Sequence, residues 1–252
     1  MGNTEILTFD YRGRHVLVTG GTSGIGQAIA SAYRDAGAKV TITGRRPSLV
    51  DYTGDFASFD YLQMESNNGE HVAGIAKRLS KLDILVNNAG ESAPGGHERR
   101  FEPDVFETTV GIILFGPYRL AHALKPVLMH SDLPGGASVI NMASLAAYFG
   151  MDAVPGYGAA KAGIVQLTKT LAISWASHKI RVNAIAPGNT KTRMFEPLLD
   201  IPEIIDPLVA RTPLGRMAEA NEMSGAVLFL TSPQASFITG QTLPVCGGYS
   251  VF

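Results

Sequence analysis

Several ingredients are scarce in this 252-residue chain, and each scarcity excludes something. There is one cysteine, Cys246, so no internal disulfide framework exists, and such usage fits a reducing cytoplasm. No apolar run approaches the ~18 residues of a membrane-spanning helix. Met1 to Tyr11 lacks a basic-then-apolar leader pattern, so a soluble, cytoplasmic protein is expected. Charged residues make up only 17% of the chain and the formal net charge is −1, which leaves no electrostatic footprint for nucleic acid or an acidic membrane. The six histidines show no spacing such as His-Glu-x-x-His, so no catalytic metal is expected; His97 reads as a surface residue. Internal repeats are absent, and the longest polar interruption, Arg45 to Asp60, is too short to be a domain linker.

What the chain does have is a steady alternation of strand-like and helix-like segments, which predicts an α/β fold with one parallel sheet covered by helices on both faces. His15–Thr19 reads as a short buried strand and is followed by Gly20-Gly-Thr22-Ser23-Gly24-Ile25-Gly26. A helical pattern then runs through Ala36 and is ended by Gly37. Strand, glycine loop and helix form the context in which backbone N–H groups can approach a pyrophosphate at the positive end of a helix. Lys39–Thr43 is the second strand, and Gly44-Arg45-Arg46 follows it with no carboxylate. Where a strand end meets an adenosine ribose, an acidic residue suits a free 2′-hydroxyl and an arginine suits a 2′-phosphate. Arg45 therefore favours NADP over NAD, solvated surface arginines being the alternative. Phe59–Met64 and Leu82–Val86 read as the third and fourth strands, the latter running into Asn87-Asn88-Ala89-Gly90.

The stretch Val139–Ala162 carries the chemistry. An apolar strand from Val139 to Ala143 ends on Ser144; a loop follows, and then Ala160, Ile164, Leu167 and Leu171 recur at helical spacing, predicting a helix from about Gly156 to Trp175. Tyr157 and Lys161 are four residues apart and share one face of it. An ammonium beside a phenol favours the ionised phenol, so the spacing predicts a lowered Tyr157 pKa and a proton donor and acceptor usable near neutral pH. Ser144 could hydrogen-bond the same substrate oxygen. Trp175 reads as core.

Taken together and in this order, Thr19-Gly20…Gly24-x-Gly26, Asn87-Asn88-Ala89-Gly90, Ser144 and Tyr157-x-x-x-Lys161 resemble the classical short-chain dehydrogenases/reductases. The 13-residue Ser-to-Tyr spacing matches that family, as do Arg181-Val-Asn-Ala-Ile-Ala-Pro187-Gly188 and the tail Ile238-Thr-Gly240-Gln…Gly247-Gly248. The resemblance spans about Tyr11 to Tyr249. It implies a single doubly wound Rossmann-like domain over residues 1–252 with about seven strands, a substrate lid around 189–213, and hydride transfer to or from NAD(P). On this reading Tyr157 is the general acid/base, Lys161 holds the nicotinamide ribose and Ser144 orients the substrate oxygen. The resemblance also places Gly20, Thr22, Ser23, Gly24, Ile25 and Gly26 on the pyrophosphate and Asn88, Ala89 and Gly90 on the adenosine side. Pro187, Gly188, Thr190 and Thr192 fall by the nicotinamide, and a homotetramer is the expected assembly.

One departure stands out. The family's helix asparagine, whose backbone carbonyl binds a water leading to the lysine, corresponds here to Ile113. Pro117 lies four residues later, and in an α-helix it has no N–H to give the Ile113 carbonyl. Either Pro117 exposes that carbonyl at a kink, taking over the asparagine's part, or it merely bends the helix. Cys246 replaces a usual aspartate and reads as inert packing. Around the substrate, Glu91–Gly96, the apolar Leu145, Tyr148, Phe149, Met151 and Val154, and a lid carrying Met194, Phe195, Leu198, Leu199, Ile201, Ile204, Ile205 and Leu208 suggest an apolar or cyclic alcohol or ketone. Lys191 and Arg193 are the nearest candidates for an anion clamp. Gly158, Ala159, Ala162 and Gly163 would let a second helix approach closely. Two alternatives stay open: an NAD-linked dehydrogenase, and a dinucleotide-binding sensor or scaffold with little turnover.

Overall fold

The computed structural model describes residues 8–91, 97–152, 154–193 and 195–251. Its elements follow in the order β1 (His15–Val18), α1 (Gly24–Asp35), β2 (Lys39–Gly44), β3 (Phe59–Gln63), α2 (Gly69–Arg78) and β4 (Ile84–Asn87). Next come α3 (Pro103–Val110), α4 (Gly116–Leu128), β5 (Ala137–Met142), α5 (Pro155–Trp175) and β6 (Ile180–Pro187). The chain ends with α6 (Pro202–Ala210), α7 (Glu222–Thr231) and β7 (Thr242–Val245). The seven strands form one sheet in the order β3-β2-β1-β4-β5-β6-β7, every pairing parallel. Each predicted strand is present, with ends shifted by a residue or two. The fourth starts at Ile84 because the Asp83 carboxylate first takes the backbone N–H of His15 at 2.8 Å.

Alternation along the strands splits the core in two, as a pleat covered on both faces requires. Val16 and Val18 of β1, Ile84 and Val86 of β4, and Ile140 of β5 pack against Ile29 and Tyr33 of α1 and Met223 and Val227 of α7. The intervening Leu17, Leu85 and Val139 face the other way, onto Val72 and Ile75 of α2, Leu120 and Leu124 of α4, and Leu171 and Trp175 of α5. Each such large side chain contributes about 1.5–3 kcal/mol when taken out of water. A buried polar chain then fixes α5 against the sheet. The Asn87 amide donates to Asn141 Oδ1 at 2.9 Å, and the Asn141 amide donates to Thr168 Oγ1 at 2.9 Å.

Because every strand is parallel, the loops after β1, β2, β4, β5 and β6 gather at the carboxyl end of the sheet, and the reversal of strand order between β1 and β4 parts them into a crevice. In open α/β sheets that crevice is where ligands bind. Among the described residues, no helix is long and apolar enough to cross a membrane.

Candidate active site

The glycine loop leaves β1 through Gly20, whose φ of +65° suits glycine, and enters α1 at Gly24, with φ +54°. Its shape is held from below. Gly20 N–H donates to Thr43 Oγ1 at 3.2 Å, and the Asn88 amide donates to the carbonyls of Thr19 and Gly20 at 3.0 and 3.3 Å. Thr19 Oγ1 accepts from the N–H groups of Asn88 and Ala89 at 2.9 and 3.0 Å. Asn88 thus staples the β4 loop to the glycine loop. At the N-terminus of α1, Ser23 makes no side-chain capping bond and the first turn carries no acidic residue. A helix end with that donor set fits an anion.

Gly26 shows how tightly this corner is closed. A Cβ there would lie 2.3 Å from both the Gly20 carbonyl oxygen and Asn88 Nδ2. Gly26→Ala is expected to destabilise the fold by about 1–3 kcal/mol, the usual range for overpacking. It should also weaken dinucleotide binding at least ~10-fold, because the loop must move; thermal melts and a fluorescence titration check the two effects.

Two other segments close on this loop. Thr192, from the segment after β6, lies 3.5 Å from where a Cβ on Gly24 would sit. Gly188 packs against the Cys246 backbone, and Thr190 Oγ1 donates to the Gly188 carbonyl at 2.9 Å. Asn189, which opens the segment expected as a substrate lid, has a buried Nδ2 with no hydrogen-bond partner among the described residues. That donor is available to a polar group bound beside Pro187 and Gly188.

Ser144, Tyr157 and Lys161 come together at the end of β5 and the start of α5. The Ser144 hydroxyl accepts from the Ala146 N–H at 3.2 Å, which leaves its own proton to donate, and it hydrogen-bonds the Tyr157 phenol. Lys161 is buried, donates to the Met142 carbonyl at 2.5 Å, and lies with Nζ 5.4 Å from the centre of the Tyr157 ring. Here the expectation of a lowered phenol pKa is corrected. Burial pushes the Tyr157 hydroxyl up from its ordinary value, and the Ser144 hydrogen bond offsets only part of this. Helical spacing alone could not show that the ammonium turns to a strand carbonyl. Burial also pushes Lys161 down, to about 8.

The segment joining α3 to α4 is a second correction. Gly111–Phe115 forms a π-helical turn in which the Gly116 N–H bonds the Gly111 carbonyl, where an α-helix running on to a kink was expected. The slip in register lies just before Pro117, whose missing N–H would break a continuous α-helical ladder. Ile113 is buried between Gly90 and the α5 residues Ala160 and Ile164. Of the small residues on α5, Gly163 faces Leu114 of the same chain and Gly158 faces the Ala146 carbonyl, so only Ala159 and Ala162 lie exposed.

At the substrate end, α6 buries none of its residues, so its apolar side chains do not seal the core. Lys191 pairs with Glu219 at 2.6 Å. Arg211, at the end of α6, stacks over Tyr249 and Phe149 with its guanidinium carbon 4.4 and 4.9 Å from the ring centres. No local sequence signal joins these three. Cys246 is half-buried with Sγ 3.3 Å from Ser250 Oγ. Residues 92–96, Met194 and the His97 side chain lie outside the described residues. Among the described residues, no group of three or more His, Cys, Asp or Glu could hold a metal ion.

Comparison with known proteins gives the family. A family model described as enoyl-(acyl carrier protein) reductase matches residues 20–250. An uncharacterized short-chain type dehydrogenase/reductase of Sinorhizobium fredii is 36% identical over 94% of this chain, which spans only 44% of that longer protein. The 3α-hydroxysteroid dehydrogenase of Mediterraneibacter gnavus is 33% identical, with 92% of this chain and 94% of that one covered. In structure, the gluconate 5-dehydrogenase of Burkholderia cenocepacia in complex with NADP and tartrate superposes with a TM-score of 0.86 at 29% identity, covering 97% of this chain and 98% of that one. The chain belongs to the classical short-chain dehydrogenase/reductase family of NAD(P)-binding oxidoreductases.

Proposed function

We propose that this protein is an NADP-preferring oxidoreductase that moves hydride between a nicotinamide and a secondary alcohol/ketone pair. The observation that carries the reading is the meeting of the Ser144 hydroxyl, the Tyr157 phenol and the Lys161 ammonium at the carboxyl end of β5. Gly20, Thr22, Ser23, Gly24, Ile25 and Gly26 would hold the pyrophosphate, with Asn88 to Gly90 toward the adenosine. Pro187, Gly188, Thr190 and Thr192 would bound the nicotinamide, and the unpartnered Asn189 amide adds a donor there. The bound dinucleotide supplies the hydride donor or acceptor. Tyr157 gives its proton to the substrate oxygen on reduction and takes it back on oxidation; Ser144 fixes that oxygen, and Lys161 holds the nicotinamide ribose.

NADP is preferred on this reading because the Arg45 side chain extends toward the loop after β4, where it meets Glu91, while Arg46 is tied elsewhere. The Arg46 N–H bonds the Tyr52 hydroxyl at 2.8 Å, and its guanidinium bonds the Asp51 carbonyl and stacks on the Tyr52 ring. Arg45→Gln is expected to raise the KM for NADPH by about 10- to 100-fold, the loss of a charged hydrogen bond, and that for NADH by less than ~3-fold. Equal effects on both cofactors would return the reading to an NAD-linked enzyme.

The outward apolar side chains of α6, with exposed Tyr148 and Met151 opposite, support an apolar or cyclic substrate. A second reading, a substrate bearing an anionic group, is favoured by Arg211 at the join of the lid and the Phe149 loop. A panel of cyclic ketones and keto acids assayed with NADPH separates the two, and absence of turnover on both would favour a sensor. A cytoplasmic homotetramer completes the proposal, supported by the exposed Phe115, Tyr118 and Ile173 on α4, its preceding turn and α5.

A further inference from the structure

We propose that Glu91 sets the strength of the preference for NADP by competing with the ribose 2′-phosphate for Arg45. The inference rests on the reading of Arg45 given above and adds to it a residue from a different strand loop. Arg45 Nη1 lies 2.8 Å from Glu91 Oε2. Arg45 leaves the end of β2 and Glu91 follows the loop after β4, while β1 with its glycine turn lies between them in the sheet. Their strands therefore lie two spacings apart, about 10 Å, and the two side chains bridge that gap at the position proposed for the ribose 2′-phosphate. The backbone of Arg45 is pinned, because Gln63 Nε2 donates to its carbonyl at 2.8 Å, so only the side chain can swing.

Chemistry makes Glu91 a competitor rather than a support. A guanidinium binds a carboxylate or a phosphate through the same fork of N–H donors, and a pair with Glu91 uses donors that a 2′-phosphate would take. Any Glu91 carboxylate left beside the bound phosphate also repels it. A free 2′-hydroxyl meets neither penalty. Both partners face water, with side-chain exposures of 65% and 39%, so the pair is weak enough to exchange. Glu91 accordingly compresses the discrimination between NADP and NAD.

The test is equilibrium binding of NADP⁺ and NAD⁺, followed by protein fluorescence, to the full-length protein, Glu91→Gln, Arg45→Gln and the double variant. Glu91→Gln is expected to tighten NADP⁺ binding by about 2- to 5-fold, the worth of an exposed ion pair, and to leave NAD⁺ unchanged. In the Arg45→Gln background the same change should have less than half that effect. Glu91→Gln that binds NADP⁺ equally or more weakly overturns the competition, as does equal tightening of both cofactors. If Arg45→Gln leaves NADP⁺ binding untouched, the reading of Arg45 itself fails, an outcome separate from the behaviour of Glu91. The substitution is exposed and nearly isosteric, and a melting temperature within ~2 °C of the parent verifies that each variant is folded.

Discussion

Tyr157→Phe is expected to lower kcat by about 10²–10⁴-fold, the range of general acid–base catalysis, with dinucleotide affinity changed by less than ~2-fold. Phenylalanine fills the space of the phenol ring, and among the described residues the hydroxyl reaches only the Ser144 side chain. Loss of turnover with unchanged cofactor titration would therefore isolate the proton-transfer step. A direction follows from the environment. Burial holds the Tyr157 proton on more tightly than in water, so at neutral pH the group stands ready as an acid, which suits carbonyl reduction. Oxidation of the alcohol requires the deprotonated phenol and should rise with pH, while reduction stays level until the phenol titrates. Paired pH profiles of kcat in the two directions measure this; parallel profiles would reject the assignment of Tyr157 as the acid/base.

Lys161→Met is expected to reduce turnover by at least ~100-fold and yet to make the protein more stable. The lysine is buried, and burial holds its ammonium down to about 8 from the ordinary value of 10.5. For a base with a depressed folded pKa, the charged native state is penalised at every pH below both values. The penalty is on the order of 3 kcal/mol at pH 7. Methionine removes it but leaves the Met142 carbonyl without its donor, a loss of about 1–2 kcal/mol. The net gain is about 1–2 kcal/mol, which raises the melting temperature by ~2–6 °C. Between about pH 8 and 10.5 the parent's native state has released the proton that its unfolded state keeps, so parental stability rises and its gap to the variant narrows. A variant less stable than the parent at pH 7 would show that Lys161 is a structural group and not one held at a site against its own solvation.

Local pattern made much of this molecule legible. The continuous apolar runs around Leu17, Leu85 and Val139 specify strands covered on both faces, and Gly20 and Gly24 of the turn have a positive φ, a backbone reason that holds within one short window. The four-residue interval from Tyr157 to Lys161 fixes a shared helix face before any packing is known. Ser144, thirteen residues earlier, was reachable only because a strand end and a helix start were both recognisable.

Other features depend on which strands become neighbours, and no window contains that. Arg45 meets Glu91 because the order β2-β1-β4 sets their loops on either side of the glycine turn. Arg211 meets Phe149 and Tyr249 only once α6, the β5 loop and the C-terminal segment have packed. The raised phenol, the ammonium turned to Met142 and the π-helical turn before Pro117 are likewise results of packing, since desolvation and hydrogen-bond choice are set by surroundings distant in sequence. Sequence by itself determined the α/β elements and the types of group available for chemistry, because helix and strand periodicity are local. Tertiary structure alone decided which way the acidities of those groups shift and the partner that Arg45 holds, because solvation and ion pairing act through space.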